Sequence, residues 1–143
     1  MNQPQRIVLD TNCLLISIPY SSPYHTILTA FLSGAYTLCI TNEILLEYEE
    51  ILTQKIGKVI ASNIVNAILS SRHTLLINPV YRFRLIESDP DNNKFVDCAI
   101  HANARYIVTE DHHYNILGQV PFPKVKVIGV DQFNQILITG INP

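Results

Sequence analysis

The chain is poor in charge: 15% of its 143 residues are Asp, Glu, Lys or Arg, against 48% apolar residues. That balance excludes a disordered chain, which has little apolar material to bury. A strong net charge is also missing. At −2 the chain as a whole does not attract polyanions, so nucleic acid would need a local basic patch or a metal ion to offset its phosphates. Cysteine is scarce. Cys13, Cys39 and Cys98 are odd in number, lie among apolar neighbours and form no Cys-x-x-Cys pair. This argues against a disulfide framework and a thiolate zinc site, and for buried free thiols. No apolar run is long enough to span a membrane, and the opening MNQPQR is polar, so no signal peptide is read there. Repeats, low-complexity stretches and linkers are absent. The expectation is one soluble, cytoplasmic domain over residues 1–143 with no membrane partner, long enough to bury a core without covalent staples.

What is present alternates between two patterns. Short apolar, β-branched runs predict strands at residues 6–9 (RIVL), 36–40 (YTLCI), 74–77, 106–109 and 125–128. Between them lie helical patterns. One runs from Ser22-Pro23 to about Leu32, stopped by Gly34; another covers residues 42–56, with Thr41 as N-cap and Ile44, Leu45, Tyr48, Ile51, Leu52 and Ile56 at helical spacing. Gly57 breaks the pattern before a helix at 59–69. A further helix carries Phe95, Val96, Ala99, Ile100 and Ala104, and a last one spans 131–138. The stretch CLLISIPYSSP is read only as ending in a turn. Residues 80–92 are a loop of mixed charge closing in turn chemistry, and a short 112–117 segment precedes a 118–124 loop. Strands alternating with helices imply an α/β fold with a mainly parallel sheet.

In such sheets, sites form outside the carboxyl ends of the strands. Asp10 closes the first strand, and Asp111 follows the 106–109 strand. Glu47 lies in the second turn of the helix after the second strand, and Asp97 about one turn into its own helix. Separated segments can thus bring Asp10, Glu47, Asp97 and Asp111 to one edge. Clustered carboxylates repel, so some must take up protons unless a cation neutralises them. A hard ion, Mg²⁺ or Mn²⁺, is the natural partner, and could polarise a phosphodiester and activate water against it.

Plainer roles compete for each residue. Asp10 could be a strand-end turn residue, Glu47 part of a solvated Glu47-Glu49-Glu50 face, and Asp111 an N-cap. Asp97, set among apolar neighbours, needs a partner or a metal. Asp89 and Asp91 read as turn and cap residues. His101, His112 and His113 read as surface histidines, and Tyr20, Tyr24 and Tyr114 as packing residues. Asn12, Thr109 and Glu110 could position an acid or a water. Lys94, Arg72, Arg82, Arg84 and Arg105 are the candidate phosphate contacts, too scattered for any one to stand out.

DTN after the first strand, EYEEIL in the helix after the second, and DPDNNKFVDCAIHANARYIVTED together resemble the PIN domain, most closely its branch of bacterial toxins of toxin–antitoxin systems. The resemblance runs from Arg6 to about Phe133. It implies a Rossmann-like three-layer α/β/α sandwich and metal-dependent cleavage of single-stranded RNA, with Mg²⁺ or Mn²⁺ as cofactor. It makes Asp10, Glu47, Asp97 and Asp111 the acids in family order, acting as catalytic residues and metal ligands. Asn12 becomes the small polar residue near the first acid and Thr109 the Thr of a TxD motif, positioning substrate with Lys94. Glu110 departs from the pattern, since this branch usually has Gly there. A cognate antitoxin and a homodimer are the partners the resemblance implies. Two other readings stay open: a PIN-like module that binds RNA or protein without cutting, and a phosphotransfer protein using Asp10 as aspartyl-phosphate. Asn12 stands where the second Asp of the haloacid-dehalogenase pattern would be.

Overall fold

The structure, a computed structural model, describes residues 4–140. Five short strands, β1 (Gln5–Leu9), β2 (Tyr36–Ile40), β3 (Thr74–Leu76), β4 (Tyr106–Val108) and β5 (Val127–Ile128), pair in the order β3-β2-β1-β4-β5. Every pairing is parallel. The sequence dictates this arrangement through continuity rather than alternation. Ile7, Val8 and Leu9 of β1, and Ile107 and Val108 of β4, are all buried, as strands covered on both faces must be.

Six α-helices complete a three-layer α/β/α sandwich: α1 (Thr11–Ser17), α2 (His25–Ser33), α3 (Asn42–Ile56), α4 (Lys58–Ser70), α5 (Asn93–Ala102) and α6 (Val130–Thr139). The connections β1→β2 and β2→β3 step one way along the sheet, and β3→β4 steps back past β1. Right-handed crossovers of opposite step carry their helices to opposite faces. Accordingly α5 packs on β1, β2 and β4, while α2 packs on β2 and α6. The reversal leaves a crevice outside the carboxyl ends of the neighbours β1 and β4.

Several boundaries differ from expectation for local reasons. α1 occupies the stretch that periodicity left unassigned; at seven residues it is too short to show a period, and Asp10 starts it by accepting from Thr11 N at 2.7 Å. α2 begins at His25, because Ser22 sits in a turn: its N–H donates to Pro19 O at 3.0 Å and its Oγ accepts from Tyr24 N at 3.1 Å. Gly34 ends α2 with φ 86, a left-handed backbone suited to glycine. Thr41 caps α3 as expected, its hydroxyl accepting from Ile44 N at 3.1 Å. β5 is shorter than the 125–128 run, although Lys126 O still accepts from Ile107 N at 2.9 Å. Cys13, Cys39 and Cys98 are buried free thiols, and burial pushes Cys13 up to about 12 and Cys39 to about 11.

Candidate active site

Register places the first pair of side chains. Leu9 is aligned with Val108, and Asp10 N donates to Val108 O at 3.0 Å. One residue on, the buried Thr109 hydroxyl donates to Asp10 Oδ2 at 2.6 Å and accepts from Asp111 N at 3.0 Å. From α1, the Thr11 hydroxyl donates to Glu47 Oε2 in a short hydrogen bond. Glu47 is set in place by its neighbour Tyr48, fully buried, whose hydroxyl donates to Leu9 O at 2.6 Å and pins α3 to the end of β1. The result is a continuous chain of contacts, Glu47–Thr11–Asp10–Thr109–Asp111, across the β1/β4 crevice.

α5 and the 3₁₀ turn before it, Pro90–Asn92, close the other side. Lys94 Nζ lies 2.8 Å from Glu47 Oε1 and donates to Asp91 O at 2.6 Å. Asn92, buried, donates to Asp111 Oδ2 at 2.9 Å and to Asp89 Oδ2 at 3.2 Å. Asp111 Oδ1 accepts from His113 N at 2.9 Å and from His113 Nδ1 at 2.7 Å; a carboxylate only accepts, so that ring nitrogen carries the proton. The His113 ring stacks on His112 at 4.3 Å, and Asp111, His112 and His113 each offer a ligand atom within 4.8 Å of the others.

The acids are not electrostatically alike. Burial raises the Asp10 carboxyl above its ordinary value; hydrogen bonds from Thr109 and Thr11 oppose this, and the charges of Glu47 and Asp111 add to it. Asp111 goes the other way. Burial there is outweighed by the hydrogen bonds from His113 N, Asn92 and the His113 ring, and its carboxyl is lowered. Tyr114 is fully buried, and its hydroxyl has no hydrogen-bond partner among the described residues. Burial raises it strongly, and the charges acting on it are those of Asp10, Asp111, Glu47 and Asp89.

Asp97 corrects the expectation. It is buried, but its Oδ1 accepts from Phe83 N at 3.1 Å, and the charges around it are Arg82, His101 and Glu43. Helix geometry is the reason: Asp97 shares a stripe with Asn93 and His101, four residues either way, whereas Lys94 faces Glu47. Its raised carboxyl reflects burial first, partly offset by Phe83 N and Arg82. Glu110 also turns elsewhere. Its Oε1 accepts from Val130 N at 2.5 Å, capping α6, so it adds no acid to this network. Asn12 is exposed on the first turn of α1 and forms none of these hydrogen bonds.

Sequence reading brought Asp10, Glu47, Asp97 and Asp111 to this edge; Asp10, Glu47 and Asp111 are joined there through Thr11 and Thr109, and Asp97 lies apart. It gave Asp89 a turn role, His113 a surface role and Tyr114 a packing role, and gave Asn92 no role beyond the turn. Asp89 and Asn92 sit in SDPDNN, whose turn chemistry masks any other role; His113 and Tyr114 lie in a short segment without a period.

A parallel three-layer fold with carboxylates gathered at its topological switch point defines an α/β domain with an acidic, oxygen-lined crevice. Such a donor set suits a hard divalent cation, which would offset the burial that raises Asp10 and the smaller effect of the Glu47 and Asp111 charges. The chain belongs to the PIN domain family, whose model matches residues 6–113. No curated protein matches its sequence. Among solved structures, it is similar in fold to a chain in the crystal structure of VapBC2 from Rickettsia felis bound to a DNA fragment from their promoter. The TM-score is 0.58 at 16% identity, covering 87% of this chain and 98% of that one.

Proposed function

We propose that this chain is a metal-dependent endoribonuclease that cleaves single-stranded RNA, and that it serves as the toxin of a toxin–antitoxin pair. The observation that carries the nuclease reading is the meeting of Asp10, Glu47 and Asp111 at the β1/β4 crevice, with Asp10 raised by burial and by the other two. Membership of the PIN domain family and the fold likeness to VapBC2 support it. The likeness also motivates the proposal of an antitoxin partner.

Asp10, Glu47 and Asp111 would hold Mg²⁺ or Mn²⁺, with Asp89 near enough through Asn92 to join them. When bound, the ion supplies charge stabilisation for a phosphodiester under attack by water. Thr11 and Thr109 fix the carboxylate orientations through their hydroxyls. Lys94, now the counterion of Glu47, carries the positive charge that would meet the scissile phosphate. The aspartyl-phosphate reading would want a second Asp two residues on, where the exposed Asn12 stands.

One observation favours the non-cutting module. Glu47 is neutralised by Lys94, and Asp111 is satisfied by Asn92 and His113, so part of the crevice is balanced by the chain itself. Labelled single-stranded RNA, incubated with the purified chain and Mn²⁺ or Mg²⁺, separates the readings. The proposal expects cleavage that EDTA stops and that Asp10→Asn or Asp111→Asn reduces at least a hundredfold. RNA bound but never cut, with either ion, would favour the module instead.

A further inference from the structure

Between β3 and α5 the chain forms a strap whose residues 81–84 read Tyr-Arg-Phe-Arg. Each polar residue on one stripe of α5 holds a successive piece of that strap. Asn93 grips Ile86 at both its N–H and its carbonyl, each at 2.9 Å. Asp97 accepts from Phe83 N at 3.1 Å. His101 Nε2 faces Val80 N at 3.2 Å and Tyr81 N at 3.3 Å; because Nε2 accepts, Nδ1 carries the proton and donates to Asp97 O at 2.8 Å. The strap is therefore fixed by its backbone and by the buried Ile86, which leaves the side chains of Tyr81, Arg82 and Arg84 exposed. Arg84 sits in the left-handed region at φ 55, a conformation that a non-glycine residue holds only when its surroundings impose it.

The strap displays alternating aromatic and cationic groups. Tyr81 is 61% exposed and stands edge-on to the half-buried Phe83, with ring centroids 4.6 Å apart. Arg82 and Arg84 line a cavity of about 450 Å³ together with Asp97, Asn93 and Pro90. Pro90 and Asn93, which line that cavity, are chain neighbours of Asn92 and Lys94, which contact Asp111 and Glu47 in the acid crevice. Exposed aromatic faces with guanidinium groups between them suit one ligand chemistry: unpaired bases that stack, joined by phosphates that need cations. Arg82 is at present paired with Glu43 at 2.8 Å, an exposed contact that a phosphate can displace.

We propose that residues 80–86 are the strap on which the single-stranded RNA substrate is seated beside the acid crevice. Tyr81 takes a base, Arg82 and Arg84 take phosphates, and Asp97 is the positioning residue that holds the strap. This rests on the ribonuclease reading for the identity of the ligand, but binding can be measured without cleavage.

The test is fluorescence anisotropy of a labelled single-stranded RNA with the full chain in EDTA. Arg82→Gln with Arg84→Gln should weaken binding about tenfold or more, and should flatten the salt dependence by about 0.7 per lost phosphate contact. Tyr81→Ala should cost roughly tenfold. Lys58→Gln, at the exposed start of α4, should change nothing. Asp97→Ala should weaken RNA binding and speed amide exchange at Phe83, while Asp97→Asn, which keeps an acceptor, restores both. Tyr81, Arg82 and Arg84 are exposed, so loss of fold does not confound their variants. RNA binding that is absent in the wild type, or unchanged in the double arginine variant, overturns the strap. Strap-dependent binding without cleavage in Mn²⁺ leaves the strap standing and removes the nuclease; cleavage with strap-independent binding does the reverse.

Discussion

At the scale of single residues, the crevice acids divide by the direction in which burial and hydrogen bonds move them. Asp10 is raised and Asp111 lowered from the same ordinary value. The signs of their linkage to stability are therefore opposite. Asp10 contributes stability when protonated, and loses it as pH rises through its raised pKa; Asp111 contributes above the ordinary carboxylate range, and loses it as pH falls through its lowered one. A cation bound by these groups competes with the proton on Asp10. Mn²⁺ at a hundredfold excess over its Kd should thus stabilise the chain at pH 7 by about 2.7 kcal/mol, read as a rise in Tm. That rise should shrink as pH falls into the range where Asp10 is protonated. Asp10→Asn should abolish it; an undiminished rise in that variant would show that the ion binds elsewhere. Glu110 gives a contrasting case. Because it caps α6, Glu110→Ala should lower stability by about 1 kcal/mol in denaturant titration while leaving Mn²⁺ affinity unchanged.

At the scale of elements, α3 and α5 bring side chains to the crevice by different means. α3 is fastened by one buried bond, Tyr48 hydroxyl to Leu9 O. Tyr48→Phe leaves that carbonyl without its partner, and should cost about 1–3 kcal/mol. It should also weaken divalent-ion binding, because Glu47 is the next residue; a stability loss with unchanged ion affinity would separate the two. Most of the elements were legible in sequence, because long helices such as α3 carry a period and a cap, and buried parallel strands are continuous apolar runs. α1 was not, being only two turns long. Asp97 is the acid the structure sets apart from the others. Its position one turn into a helix fits a crevice residue, and an acid among apolar neighbours does need a partner. Sequence could not tell that the partner is Phe83 N, in a loop with no periodic pattern of its own. For the same reason Arg82 and Arg84 looked scattered until the strap aligned them.

At the scale of the whole molecule, a chain with net charge −2 sets the strap arginines, Arg82 and Arg84, against the α5 segment that also carries Asn92 and Lys94 to its acids. The strand order β3-β2-β1-β4-β5 creates the acid crevice by reversing direction beside β1. Asp10, Glu47 and Asp111 arrive there from segments far apart in sequence. The central claim is that these three carboxylates, and not Asp97, form one cation site. Its most direct test is titration of Mn²⁺ into the wild type and into Asp10→Asn, Glu47→Gln, Asp111→Asn and Asp97→Asn, followed by the paramagnetic signal of the free ion. The account predicts at least tenfold weaker binding in the first three variants and wild-type affinity in Asp97→Asn. Loss of binding in Asp97→Asn, with affinity retained in the other three, would contradict it.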